Sequence, residues 1–370
     1  MKHLIFFLLA LNVFTTSCDT VLLGEDEALR TADENLQPPP DLNDGWEVST
    51  IEAENITRAP IENVIRALHQ DPRRVHSILL IKNNKLVLES YFEGWHRNRL
   101  QSLRSTSKSF ASTLIGIAID KQFINSVEEP LYTFFPEYAD VLIEDKKDIQ
   151  LKHVLSMTSG FEWNQFDSND DSNDENQMSM VDDALRFVME KDMVSTPGKT
   201  FLYNSGNSDL LMGALHNSTG IYADKFAEEY LFKPLDITDY EWITHKKGFI
   251  NAGWGLFLKP RDMAKLGQLF LDSGLWKGQQ VVSRKWVKQA TSKSITASQW
   301  QDYGYQWWLE ERIIKGRTIR TIQAQGNGGQ VIFVIPELNA VAVFTGGNYG
   351  SNDGQIPYTL FGNFILNALL

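Results

Sequence analysis

Strand-like patterning is confined to the two ends of this 370-residue chain, and that separation limits the fold more than any other feature of the sequence. Near the start, Ser77 to Lys82 and Leu86 to Phe92 are rich in branched and aromatic residues. Asn83-Asn84 between them tolerates the positive φ of a tight hairpin. Near the end, Tyr303 to Leu309, Arg317 to Ile322, Gln330 to Ile335 and Ala340 to Thr345 alternate or run apolar, with a turn-like link at Pro336-Glu337-Leu338-Asn339. From about Thr106 to about Ala297 the signals are mainly helical: Phe110, Leu114 and Ile117 repeat at helical spacing, Gly160 and Gly220 stand where helices stop, and Pro260 opens a helix through Met263, Leu266 and Phe270. Pro60 opens another, with Ile61, Val64, Ile65 and Leu68 on one face, and the apolar stretch Tyr358 to Leu370 has helical length and would cover a sheet face. Short links favour antiparallel neighbours. The expectation is an α/β (α+β) fold in which residues 46–105 and 298–370 build one antiparallel sheet flanked by helices from both termini, with a helical lobe, 106–297, inserted. The cleft between such lobes is where small-molecule sites prefer to sit.

With 42% hydrophobic and 22% charged residues the chain is neither disordered nor fibrous, and its net charge of -12, without a Lys/Arg cluster, repels phosphate backbones. Nucleic acid is therefore not an expected partner. The single cysteine, Cys18, allows no internal disulfide and no thiolate metal cage. It follows a basic start, Met1-Lys2-His3, an apolar run, Leu4 to Phe14, and the small residues Thr15-Thr16-Ser17, the pattern of an export signal over 1–18. The run is short for a membrane span, and no later stretch approaches the ~18 apolar residues one needs. Small residues directly before a cysteine resemble a bacterial lipoprotein signal. The expectation is an exported, envelope-located protein whose only membrane contact is a lipid on Cys18. Residues 19–45, acidic and carrying Pro38-Pro39-Pro40, read as a flexible tether to a folded domain, 46–370.

Candidate chemistry lies where the chain crosses between lobes. In Leu103-Arg104-Ser105-Thr106-Ser107-Lys108, Ser105 and Lys108 are three apart, so on a helix both face one side, as a nucleophile and its base must. A serine at a helix start also has its oxyanion favoured by the dipole and by free N–H groups. One Ser-x-x-Lys is expected by chance in a chain of this length, so the pair needs partners. Tyr203, in Phe201-Leu202-Tyr203-Asn204-Ser205-Gly206 ahead of the helical run Asp209 to Leu215, is placed to relay a proton or, equally, to fill a core. In Ala324-Gln325-Gly326-Asn327-Gly328-Gly329-Gln330 at the head of a strand, glycines allow a substrate to lie along a strand edge and free a backbone N–H for an oxyanion. The plain alternative is a bulge or hairpin turn.

In this order Ser105-x-x-Lys108, Tyr203-x-Ser205 and a glycine-rich strand resemble the three motifs of the serine β-lactamase and penicillin-binding-protein superfamily. LRSTSKSFASTLIGIAID, HVLSMTSGFEW, FLYNSGNSDLLMGAL and GQVIFVIPELNAVAVF are similar to its branch of class C enzymes, family VIII esterases and 6-aminohexanoate-dimer hydrolases, most of all the last, over nearly all the chain after Trp46. The resemblance implies a β-lactamase/transpeptidase-like fold and a serine hydrolase working through an acyl-enzyme on a small ester or linear amide. Ser105 would be the nucleophile, Lys108 the general base and Tyr203 the proton relay. The N–H groups of Ser105 and Asn327 would form the oxyanion hole, with Ser205, Gly326, Asn327 and Gly328 against the substrate. Two positions depart from the pattern: Ser205 replaces the usual asparagine, and Ala324-Gln325-Gly326 lacks the usual Lys or His that holds a β-lactam carboxylate. β-Lactamase, peptidoglycan-trimming or silent binding roles are the alternatives.

No cofactor or metal is called for. The acidic run Asp167 to Glu175 lacks the glycine and the last glutamate of a calcium loop and reads as a solvated loop. His69, His76, His96, His153, His216 and His245 show no metal spacing, and no Gly-x-Ser-x-Gly elbow occurs. Trp163, Trp254, Trp307 and Trp308 are core residues or walls of an acyl pocket.

Overall fold

The computed structural model describes residues 36–166 and 172–370. The expected export segment with Cys18, residues 19–35 of the tether and part of the acidic run lie outside them. Nine strands form one sheet: β1 (Glu47–Val48), β2 (Val75–Lys82), β3 (Lys85–Tyr91), β4 (Ile295–Thr296), β5 (Asp302–Tyr303), β6 (Trp308–Ile314), β7 (Arg317–Gly326), β8 (Gln330–Ile335) and β9 (Ala340–Gly346), in the order β1-β3-β2-β9-β8-β7-β6-β5-β4. Every pairing is antiparallel except β1 with β3. The two ends of the chain meet at the centre, where Ile81 of β2 lies opposite Val341 of β9. The β2–β3 hairpin turns as its sequence requires, with Asn83 and Asn84 at φ 50° and 67°.

Both faces of the sheet are covered, which explains why β8 reads as the unbroken apolar run Val331 to Ile335 rather than an alternation. On one face, Ile332, Val334, Val341 and Val343 share one core with Phe110 and Leu114 of helix α2 (Ser107–Asp120), Leu210 and Leu211 of α3 (Ser205–Thr219), and Met263 and Leu266 of α4 (Pro260–Leu271). On the other, Val331, Phe333, Ala342 and Phe344 meet Ile61, Val64 and Ile65 of α1 (Arg58–Gln70), with Phe361 and Ile365 of the C-terminal helical segment. The Pro260 helix lies on the sheet although it falls within the 106–297 segment.

Three expectations need correction. The strand expected at Tyr303 to Leu309 is broken at residues 304–307. Gly304 presses so closely on the Ala290 carbonyl that a Cβ would stand 2.1 Å from its oxygen, and Gln306 takes φ 62°. Gly160 stops no helix but lies in the loop after the short helix Leu151–Leu155. The end of the tether is docked: buried Arg261 ion-pairs with Asp44 and Glu89 and donates to the Pro40 carbonyl, because a guanidinium out of water needs acceptors on all sides.

Candidate active site

Ser105 sits in a single 3-10 turn, Arg104–Thr106, that hands the chain to α2 at Ser107. The α-helix therefore starts two residues later than the spacing suggested, and Arg104, at φ 48°, is left-handed. Ser107 pins the turn. Its hydroxyl donates to the Arg104 carbonyl (2.6 Å) and accepts the Leu256 N–H (3.2 Å). Gly326, the last residue of β7, backs the same turn: a Cβ there would lie 2.4 Å from the Leu103 carbonyl oxygen, so the strand reaches the turn only as glycine.

Lys108, one turn on, is 1% exposed. Its Nζ donates to Ser105 Oγ (3.1 Å), Ser205 Oγ (3.0 Å) and the Gly253 carbonyl (2.5 Å), so its three protons meet three oxygens drawn from three parts of the chain. None is a carboxylate. Ser205, expected against the substrate, is instead fully buried behind Lys108, its hydroxyl serving the lysine. It is the first residue of α3, capped by Asn204, whose side chain accepts the Asn207 N–H at 3.1 Å. The Ser205 N–H donates to Gln165 Oε1 (2.8 Å).

Asp209, four residues further along α3, fixes the third acceptor. Its Oδ1 accepts the N–H groups of Ala252 (2.7 Å) and Gly253 (3.3 Å), and its Oδ2 meets His245 Nε2 (2.9 Å). Burial pushes the pKa of His245 down, but the charge of Asp209 and its hydrogen bond outweigh that and leave it raised. The loop is thus bolted to α3 with the Gly253 carbonyl aimed at Lys108. Gly253 has no room for a side chain, since a Cβ would come within 2.9 Å of that of Ser205. Sequence reading missed Asp209, His245 and Gly253. The first had a signal, because residues four apart on a helix share a face. The carbonyl had none.

Tyr203 presents its ring rather than its hydroxyl: Lys108 Nζ stands 5.0 Å from the ring centroid, and among the described residues the phenol makes no hydrogen bond to Ser105 or Lys108. Trp308 (5.7 Å) and Phe166 (6.0 Å) stack on it, and Phe201 and Tyr303 close the cluster. Phe166 is 80% exposed, so this aromatic wall is open to solvent. Of the other tryptophans, Trp163 and Trp307 are buried in the core, while Trp254 flanks Gly253 on the cleft side near Arg104.

The glycine-rich stretch is the end of β7 and the turn into β8, with Asn327 exposed at its tip and Gly328 bridged to Asn348. Neither Ser105 nor Asn327 gives its backbone N–H to another group among the described residues. The Asn327 side chain accepts the Gly350 N–H at 3.1 Å, which steadies the tip.

The acidic run is not wholly a solvated loop. Asn173 caps the helix Asp174–Met180, and Asp174 is buried, taking the Asn164 N–H (2.7 Å) and pairing with Lys191. Among the described residues no cluster of His, Cys, Asp or Glu could hold a metal ion, and no helix is long and apolar enough to cross a membrane.

Relatives share this architecture. The 6-aminohexanoate-dimer hydrolase of Paenarthrobacter ureafaciens is 26% identical over 293 residues, 72% of this chain and 71% of that one. A solved Bacillus anthracis protein, provisionally named a 6-aminohexanoate-dimer hydrolase, superposes with a TM-score of 0.70 at 19% identity, over 83% of this chain and 81% of its own. EstCE1, a hydrolase with promiscuous acyltransferase activity, does so with a TM-score of 0.67 at 14% identity, over 84% and 98%. Residues 61–358 match the family model described as Beta-lactamase, and with the fold, the order of its motifs and these relatives in agreement, the chain belongs to the beta-lactamase family of serine hydrolases.

Proposed function

We propose that the protein hydrolyses a small ester or linear amide through an acyl-enzyme on Ser105. The observation that carries this reading is the 3.1 Å hydrogen bond between Lys108 Nζ and Ser105 Oγ, made by a lysine with no carboxylate partner among the described residues. Lys108 in its neutral form takes the Ser105 proton as Oγ attacks the carbonyl carbon. The Ser105 and Asn327 N–H groups receive the developing oxyanion, each donor typically worth about 3 kcal/mol in such sites. As the tetrahedral intermediate collapses, the proton passes to the leaving oxygen or nitrogen, with the Tyr203 phenol as relay once substrate fills the space between them. Water, activated by the same lysine, then attacks the acyl carbon and frees Ser105. Residues 324–326 carry no cation at the place where β-lactam-recognising relatives hold a carboxylate, which favours linear substrates. Export and lipid attachment at Cys18 belong to the same proposal.

The test is hydrolysis of 4-nitrophenyl butyrate with mass spectrometry of the intact protein. Wild type should turn over and trap a butyryl adduct on Ser105 at short times, and Ser105→Ala should do neither. Wild-type rates in Ser105→Ala would overturn the reading. Stoichiometric labelling of Ser105 by a fluorescent penicillin, with no ester turnover, would replace it with a penicillin-binding role.

A further inference from the structure

The residue immediately before Ser105 carries a charge that no carboxylate among the described residues neutralises. Arg104 directly precedes Ser105, and its guanidinium lies over the face of Tyr349, 4.5 Å from the ring centroid, with Trp254 on another side at 5.8 Å. Its Nε is buried and has no hydrogen-bond partner, and among the described residues no carboxylate pairs with the group. That is unusual in a molecule of net charge -12, whose buried Arg261 is saturated with anions and a carbonyl. The surroundings place it at the cleft. Trp254 follows Gly253, whose carbonyl holds Lys108. Tyr349 packs against Gly328, where a Cβ would stand 2.4 Å from its ring, and the adjoining Gly350 N–H holds the Asn327 side chain. The guanidinium therefore lies between the loop that positions the base and the turn that offers the second oxyanion donor.

Two aromatic faces hold a guanidinium flat while leaving its edge donors free, which is how a fork of N–H groups is prepared for a carboxylate. A planar cation stacked this way loses little freedom on binding, and a partner removes the cost of its unpaired buried donor. We propose that Arg104 is a carboxylate-binding subsite, so that the preferred substrates are esters or amides bearing a carboxylate on the acyl or the leaving portion. The cation missing from the strand edge at residues 324–326 is supplied here from the turn that bears the nucleophile. The proposal rests on the hydrolase reading and narrows it to a substrate class.

Two matched ester pairs test it. Mono-4-nitrophenyl adipate against its methyl-capped diester places the charge on the acyl side, and 4-carboxyphenyl butyrate against 4-(methoxycarbonyl)phenyl butyrate places it on the leaving side. In one pair the wild-type enzyme should favour the charged member roughly tenfold or more in kcat/KM, as hydrogen bonds to charged groups allow. Arg104→Gln should bring that ratio to about one, and Arg104→Lys should restore part of it. The proposal fails if wild type shows no preference in either pair, or if Arg104→Gln lowers both members together and keeps the ratio, as a merely structural stacking residue would. Should Arg104→Gln not fold, a fall of the ratio in Arg104→Lys supports the subsite and an unchanged ratio overturns it. The two readings separate in the Ser105→Ala control: activity persisting there sinks the hydrolase itself, whereas an inactive control beside an enzyme blind to charge sinks only the Arg104 subsite.

Discussion

Among the described residues two lysines are sealed inside this protein, and they are treated in opposite ways. Lys265, on α4 and fully buried, pairs with Asp262 at 2.7 Å and donates to the Asp236 carbonyl at 2.9 Å. Lys108, equally hidden, is given two hydroxyls and a carbonyl. A carboxylate partner fixes a lysine as a cation, because loss of its proton would strand a buried anion. Among the described residues Lys108 has no such partner, only neutral oxygens. On the proposed mechanism, the difference separates a lysine that holds structure from one placed to act on Ser105.

Substitution at the two positions is the most direct way to break that contrast. Lys108→Met should lower kcat/KM for 4-nitrophenyl butyrate by more than about a thousandfold while the fold persists, as loss of a nucleophile's base does. Lys265→Met should leave turnover per folded molecule close to wild type and cost on the order of 3 kcal/mol in urea denaturation, because Asp262 is left buried and alone. Reversal of those two outcomes would dissolve the distinction. Asp209→Ala belongs to neither class and sharpens both. It abandons His245 and two loop N–H groups, so stability should fall by about 3 kcal/mol, and displacement of the Gly253 carbonyl should lower kcat by roughly ten- to a hundredfold with KM little changed.

The pH dependence separates the same groups. If neutral Lys108 is the base, kcat/KM should rise from acid to alkaline pH, and a flat profile in a chemistry-limited assay would exclude it. The His245–Asp209 pair works in the other direction. Its folded pKa is raised above the ordinary 6.5, so its stabilisation is complete below pH 6.5 and is lost as pH climbs through the raised value. Thermal denaturation of wild type against Asp209→Asn should therefore differ most in mildly acidic buffer and converge in alkaline buffer. The smallest effect is expected at the aromatic wall: Phe166→Ala, which removes a solvent-facing ring stacked on Tyr203, should raise KM for aromatic esters a few-fold with kcat intact, measured by initial rates.

What could be seen in the sequence was what is local. Ser105 and Lys108 are joined by three residues of chain, and the twin asparagines of the β2–β3 hairpin carry their own geometry. The apolar runs of β8 and β9 announce a sheet covered on both sides. What stayed hidden depends on distance along the chain. The Gly253 carbonyl reaches Lys108 across 145 residues and is a backbone atom that any residue type would provide. Ser205 is expected against the substrate because its motif resembles one of the superfamily's, but the hydroxyl turns inward to a lysine whose direction no spacing reveals. The break at residues 304–307 follows from a close approach to Ala290, a tertiary event that overrides good strand residues.

The pairing of β2 with β9 has a consequence for timing. A ribosome delivers Ser105 and Lys108 well before β7, whose Gly326 closes on the Ser105 turn, and β9, which joins the two halves of the sheet. Until then the N-terminal hairpin has no central neighbour, and closing so long a loop is slow by its topology. In a chain arranged in this way Ser105 gains its surroundings only after β7 and β9 have been made.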